Sequence, residues 1–296
     1  MTSHMHHAGF DSFWVSNALL LVALVYLRGW FHVRRDDHGS AGGWRVASFA
    51  LGLSLIWIAA ASPLATLDHE LLTAHMVQHL LLMSFAAPLI LFAAPLKLLQ
   101  RGLPRRLVEV VVTPLSSSAR ARQMLKALTH PAVCWLGATC SLVGWHIPSF
   151  FALGMRSEMW HGIEHASFLT TGLLFWWPVI QPWPAKLRYS DWSILLYLFL
   201  ATLPCDILSG FLVFCDRVVY PIYFSSSQPF GLSVLQDQEC AGALMWTVVT
   251  VVFMIAGTVF AARLLSPQGS RERAFLPSGL HSSPVSQTAR TSMEAL

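Results

Sequence analysis

At 296 residues, 55% hydrophobic and only 11% charged, the chain carries less than half the charge of an average soluble domain, and its mean hydropathy of +0.55 marks a membrane protein. The net charge of +4 and the pI near 9.0 give no reason to expect nucleic-acid binding, because basic residues on the cytoplasmic side of a membrane protein face anionic lipid.

Seven stretches are long and apolar enough to cross about 30 Å of hydrocarbon as helices. They are 12–30, 44–62, 71–94, 132–153, 158–180, 191–214 and 240–263. The expected fold is therefore all-α: a seven-helix bundle over 1–265, with a Ser-, Pro- and Arg-rich tail at 266–296 expected to be disordered. The opening "MTSHMHH" has no basic n-region and no cleavage site after the first apolar run, so it does not read as a secretory signal. It reads first as a tag remnant or disordered tail. If it is native and Met1 is removed, a free amine two residues before His4 makes a Cu(II) chelator.

Orientation follows from the basic residues. With the N-terminus outside, 17 of the 19 Lys and Arg fall in the inner segments 28–45, 95–131 and 181–191 and in the tail from Arg263. Only Arg156 and Arg217 remain outside, as the positive-inside rule requires. The inner loop holds "LPRRLVEVVVTPL" and "SSSARARQMLKAL", two basic amphipathic segments suited to the inner leaflet. This orientation puts the C-terminus in the cytoplasm.

Polar residues then cluster by depth. His75 and His79 lie near the outer start of the third span, His146 near the outer end of the fourth, and His161 and His165 near the outer start of the fifth. At 1.5 Å per residue all five fall about 5–12 Å below the outer helix ends. "HMVQH" and "HGIEH" each stack two imidazoles on one helix face. A single intramembrane histidine more often bonds a neighbouring helix. Five at one depth point to a metal or haem path, since polar groups in spans face the bundle interior.

Other groups join this layer. Asp206 sits mid-span beside Pro204, and Asp237 and Glu239 open the seventh helix, where capping is at least as good a reading as metal binding. Met76, Met83, Met155, Met159 and Met245 fall on the same side. Core filling is the default for methionine, but thioether with imidazole suits copper, above all Cu(I). Zinc accepts imidazole and carboxylate equally well. No CxxC is present, which excludes thioredoxin-like and c-haem motifs. Cys215 and Cys240 both fall at outer helix ends and could be bridged or free.

Taken in order, "HMVQHLLLMSFAAPLILFAAP", "GWHIPSFF", "HGIEHASFLTTGLLFWWPV", "VVYPIYF" and "DQECAGALMW" resemble the seven-span CtaG family of bacterial cytochrome c oxidase assembly proteins over roughly residues 10–265. The resemblance implies an assembly factor for haem–copper oxidase in the bacterial cytoplasmic (inner) membrane, not an enzyme, that handles copper for the oxidase catalytic subunit. It carries over onto His75, Gln78, His79, His146, Pro148, His161, Glu164, His165, Asp237 and Trp246. The last motif departs from the family pattern at Glu239 and Cys240, so neither takes a fixed role from it.

The working assignment is copper held by His75, His79, His146, His161 and His165, with Asp206, Met76 and Met83 as further ligands. Gln78, Glu164 and Asp237 stand behind them, orienting imidazoles as outer partners do. A periplasmic copper donor and the oxidase catalytic subunit are the expected partners, and lipid the surroundings. Two alternatives stay open: bis-histidine haem ligation, for which His79 with His165 is the sensible pair, and a membrane-embedded zinc hydrolase.

Overall fold

A computed structural model of the chain describes residues 2–36, 42–114, 118–181 and 189–265. The tail at 266–296 and the side chains of residues 1–11 lie outside the described residues. Among the described residues the chain is helical, with no strand.

The helices are α1 (Thr2–Asp36), α2 (Gly43–Ala61), α3 (Leu64–Leu67), α4 (Leu72–Leu80), α5 (Ala87–Phe92), α6 (Pro95–Gly102), α7 (Arg105–Leu107), α8 (Ala119–Leu128), α9 (Pro131–His146), α10 (Pro148–Arg156), α11 (Glu158–Ile180), α12 (Asp191–Phe214) and α13 (Val234–Leu265). Five stretches are long and apolar enough to cross a membrane: Ser12–Arg35, Gly43–Leu67, Leu72–Phe92, Asp191–Phe214 and Val234–Leu265. The α9–α10 pair makes a sixth if counted as one bent span. Seven were expected. α11 has 23 residues, but its Glu, His and Trp residues make it less apolar than those five.

The fourth expected span, 132–153, is not straight. It breaks after His146, and α10 turns away by 77°. The cause is local. Pro148 restricts the residue before it to extended backbone, and Ile147 has φ −67° and ψ 126°. His146 therefore ends a helix instead of sitting about two turns below one.

The histidine-bearing rod α4–α5 is the centre of the bundle. Its apolar window is 61% buried, against 11–28% for the other four spans. It is continuous but not regular, because Leu81–Ala86 forms a π-turn between the two α segments. Pro88 has no N–H to offer the carbonyl one turn back, and Ala87 N–H reaches Leu82 O instead. The Met83 carbonyl receives the Trp176 indole N–H at 3.0 Å, and Gly172 lets α11 approach the rod, where a Cβ would lie 2.9 Å from Met83 Cα.

The outer faces of α1, α12 and α13 expose Leu20, Leu21, Phe199, Ile207, Met254 and Ile255, as lipid-facing helices do. α1 packs closely on α6 through Gly29 and Gly102. A Cβ on either would collide with a backbone carbonyl, that of Leu98 or Val25. Small residues that let backbones meet are the usual basis of helix packing in lipid.

Candidate metal centre

The rod's N-terminal end is fixed from another helix. Asp237, on α13, accepts the backbone N–H of Leu72 at 2.6 Å and of Thr73 at 3.1 Å, and the Thr73 hydroxyl at 2.6 Å. It thus caps α4 and favours its positive end. Sequence reasoning placed Asp237 behind the imidazoles or as a cap of its own helix. It holds α4, and so sets the height of His75 and His79.

His75 is fully buried and His79 is 6% exposed. Glu164, on the facing α11, is also fully buried. Its Oε1 lies 3.4 Å from His75 Nε2 and 3.3 Å from His79 Nε2. These three form one candidate triad. A second consists of Asp68, His75 and His161, with His161 Nε2 3.5 Å from Asp68 Oδ2. The two triads share His75. Each is two imidazoles and a carboxylate, a donor set that suits zinc, copper or iron.

The distances are those that ligands of a single ion would have. Good N–H···O bonds fall at about 2.7–3.2 Å, and these contacts are longer. Two donors bound at about 2.0–2.2 Å to one tetrahedral ion sit roughly 3.3–3.5 Å apart, as these nitrogens and oxygens do. Both ring nitrogens of His75 and His79, both oxygens of Glu164, His161 Nε2 and His165 Nε2 are buried without a hydrogen-bond partner. Orphaned polar atoms are rare in native interiors and require an explanation, of which an ion is one.

Neighbouring groups hold the donors in place. Gln78 Nε2 donates to Asp68 Oδ2 at 3.1 Å, and the Tyr223 hydroxyl donates to the Asp68 carbonyl at 2.8 Å. His146 Nδ1 bonds the Leu142 carbonyl at 2.7 Å, and Tyr220 donates to the His146 carbonyl at 2.9 Å. Tyr220 and Tyr223 belong to the segment between α12 and α13, whose 3₁₀ turn Pro221–Ser225 caps this end of the bundle. The "VVYPIYF" motif is therefore a lid over the histidines. Gln238 secures it, accepting Val219 N–H at 2.7 Å and donating to Leu212 O and Arg217 O.

The rings form a connected series. His161 stands 5.5 Å from His75, His75 stands 4.3 Å from His79, and His79 stands 6.3 Å from His146, centroid to centroid. His165 lies 4.2 Å from His161 and 5.9 Å from His79 but is in neither triad. Met76 and Met83 line a cavity beneath His79 together with His146. Asp206 is half-buried on α12 and is brought into neither triad. Cys215 and Cys240 are both free.

Glu164 faces His75 and His79 directly and is a member of a triad, closer in than its expected place behind the rings. Asp68 and His69 were not singled out from the sequence. Asp68 is fully buried. His69 is 54% exposed, with Nε2 3.8 Å from Asp68 Oδ1 and its ring 6.1 Å from His161. The available signal was "LDHE" immediately before the "HMVQH" helix.

The family model described as "Cytochrome c oxidase caa3 assembly factor (Caa3_CtaG)" matches residues 24–267. The chain belongs to this family. The matched region takes in every member of both triads and the lid. Two relatives of this CtaG-family chain are the "Uncharacterized protein Mb0105" of Mycobacterium bovis and the "Uncharacterized protein MT0111" of Mycobacterium tuberculosis, each 24% identical over 265 residues. The alignment covers 84% of this chain but only 38% of either relative. No solved structure matches the chain.

Proposed function

We propose that this assembly-factor chain takes up copper at the end of the bundle covered by the lid and passes it to the catalytic subunit of a haem–copper cytochrome c oxidase in the bacterial inner membrane. The single observation that carries the reading is the paired triads: buried carboxylate and imidazole atoms at metal-bite spacing, in which Glu164 Oε1 and the Nε2 atoms of His75, His79 and His161 have no hydrogen-bond partner and Asp68 Oδ2 has only the Gln78 amide. The family supplies the oxidase, and copper is the cargo such an oxidase needs at its catalytic subunit.

The arrangement of donors supports a route. His69 is the exposed ring, His161 the next, and His75 links the two triads. With the N-terminus outside, this end faces the periplasm, where a copper donor would dock. Glu70, Glu158 and Asp216 add negative charge there and draw cations. Three protein ligands per triad leave coordination positions open, which suits an ion that must leave again. The role is carriage, with no reaction assigned.

Haem is the weaker reading. Phe168 stacks on His79 at 4.0 Å, and the adjoining cavity is about 60 Å³, too small for a macrocycle. The triads would accept zinc, but the family favours oxidase assembly over hydrolysis. The test is metal analysis of the purified protein after copper loading. Retained copper that is lost when His75, His79, His146, His161 and His165 are all replaced by alanine supports the proposal. No retained copper, or equal copper in that variant, defeats it.

A further inference from the structure

Directly beneath the triads lies a cavity of about 60 Å³ whose wall contains His79, His146, Met76, Met83, Met245 and Cys205. Among the described donors this is a different chemistry from the triads. No carboxylate lines the cavity, and four of these six side chains carry sulfur. Methionine filling a core needs no explanation, so the case rests on His146.

His146 Nδ1 lies 2.7 Å from the Leu142 carbonyl. A carbonyl only accepts, so Nδ1 carries the proton and the neutral ring's Nε2 presents a lone pair. That lone pair faces Met76 Sδ at 3.4 Å. A thioether is also an acceptor, so neither atom can donate to the other. The ring is 5% exposed and Met76 is fully buried. Two acceptors are thus held face to face out of water. A tetrahedral d¹⁰ ion with nitrogen at about 2.0 Å and sulfur at about 2.3 Å holds the two roughly 3.5 Å apart. The observed spacing matches that bite.

We infer that this cavity is a second, soft cation site, taking a monovalent d¹⁰ ion on His146 Nε2 and Met76 Sδ. Further donors come from Met83, Met245 and Cys205. Soft thioether and thiol donors select Cu(I), whereas carboxylates do not. His79 belongs to a triad above and also lines the cavity below, so it joins the two sites. The identity of the physiological ion rests on the copper reading, but the soft site itself does not. No electron transfer is assigned to it.

The experiment uses the full-length protein in detergent and Ag(I), a redox-inert soft ion, in chloride-free buffer, with Co(II) as the harder probe. Wild type is expected to retain Ag(I) with sulfur in its first coordination shell by X-ray absorption. Met76→Leu, which preserves volume, should weaken Ag(I) binding by more than the roughly 10–100-fold that loss of an outer ligand partner costs, and leave Co(II) binding intact. Glu164→Gln should do the reverse. His146→Gln serves as a second probe, with thermal unfolding as a check that both variants fold. Unchanged Ag(I) affinity in folded Met76→Leu, or an Ag(I) shell of nitrogen and oxygen alone, overturns the soft site. Loss of copper from the triads with Ag(I) binding intact would sink the copper-carrier proposal and leave the soft site standing.

Discussion

Glu164 Oε1 stands 3.3 Å from His79 Nε2, and the same oxygen stands 3.4 Å from His75 Nε2. One carboxylate oxygen on α11 therefore faces two imidazoles on α4 inside a protein interior. Without a cation, that carboxylate is a buried group with nothing to satisfy it, which is costly.

Glu164→Gln keeps the shape and removes the charge. Affinity for divalent metal should fall by about tenfold or more, since even outer partners of a ligand are worth about 10–100-fold. The metal-free protein should be as stable as wild type or more so, because an unpaired buried carboxylate has been removed. Thermal unfolding with and without metal reads both effects. A variant that is destabilised without metal and still shifted by it would contradict this account.

Gly154 makes room for that carboxylate. A Cβ at Gly154 would stand 2.6 Å from Glu164 Oε2, so Gly154→Ala should displace the oxygen. Overpacking of this kind costs about 1–3 kcal/mol. The expected result is a lower melting temperature together with weaker metal retention. Unchanged values of both would show that Glu164 has slack that the packing does not suggest.

Protons compete with metal for imidazole nitrogen and for carboxylate oxygen, so binding should release protons and weaken with acidity. Retained metal should decline as pH is lowered, with a slope steeper than one proton per ion, because each triad has three titratable donors. Equilibrium dialysis across pH measures this. A flat profile would argue against imidazole ligation.

His69 is the exposed ring next to Asp68. His69→Ala should slow copper loading in stopped-flow mixing and leave the amount bound at equilibrium close to wild type. A large loss at equilibrium with unchanged rate would make His69 a permanent ligand instead of an entry group.

The lid is tied at its edge by Glu70, which accepts the Ser227 N–H at 2.7 Å and the Ser227 hydroxyl. Those hydrogen bonds hold the Glu70 carboxyl below its usual range. The sign follows from the ionised form being the bonded one. The tether is fully present above the free carboxylate value of about 4.3 and is lost as pH falls through the lower folded value. Hydrogen exchange around Ser227 should accelerate over that acid interval, and Glu70→Gln should raise the neutral-pH rate. Exchange insensitive to both would detach Glu70 from the lid.

How much of this was legible in advance depends on the range of the interactions. Composition and run length identified a helical membrane bundle, because burial in lipid demands long apolar segments whatever their neighbours. Histidine spacing of four residues placed pairs on single helix faces, and both pairs converge. Pro148 was visible too, but how sharply the chain turns after His146 depended on packing against α11 and the lid.

What the sequence by itself determined is the all-helical membrane class and the end of the bundle at which histidines gather, since the first follows from long apolar runs and the second from four-residue spacing and the cost of polar groups in hydrocarbon. Only the tertiary structure decided that Glu164 and Asp68 are donors, that Asp237 caps a distant helix, and that Met76 faces His146. Those relations join residues far apart in the chain, and the angle between neighbouring helices fixes them. No local pattern encodes that angle.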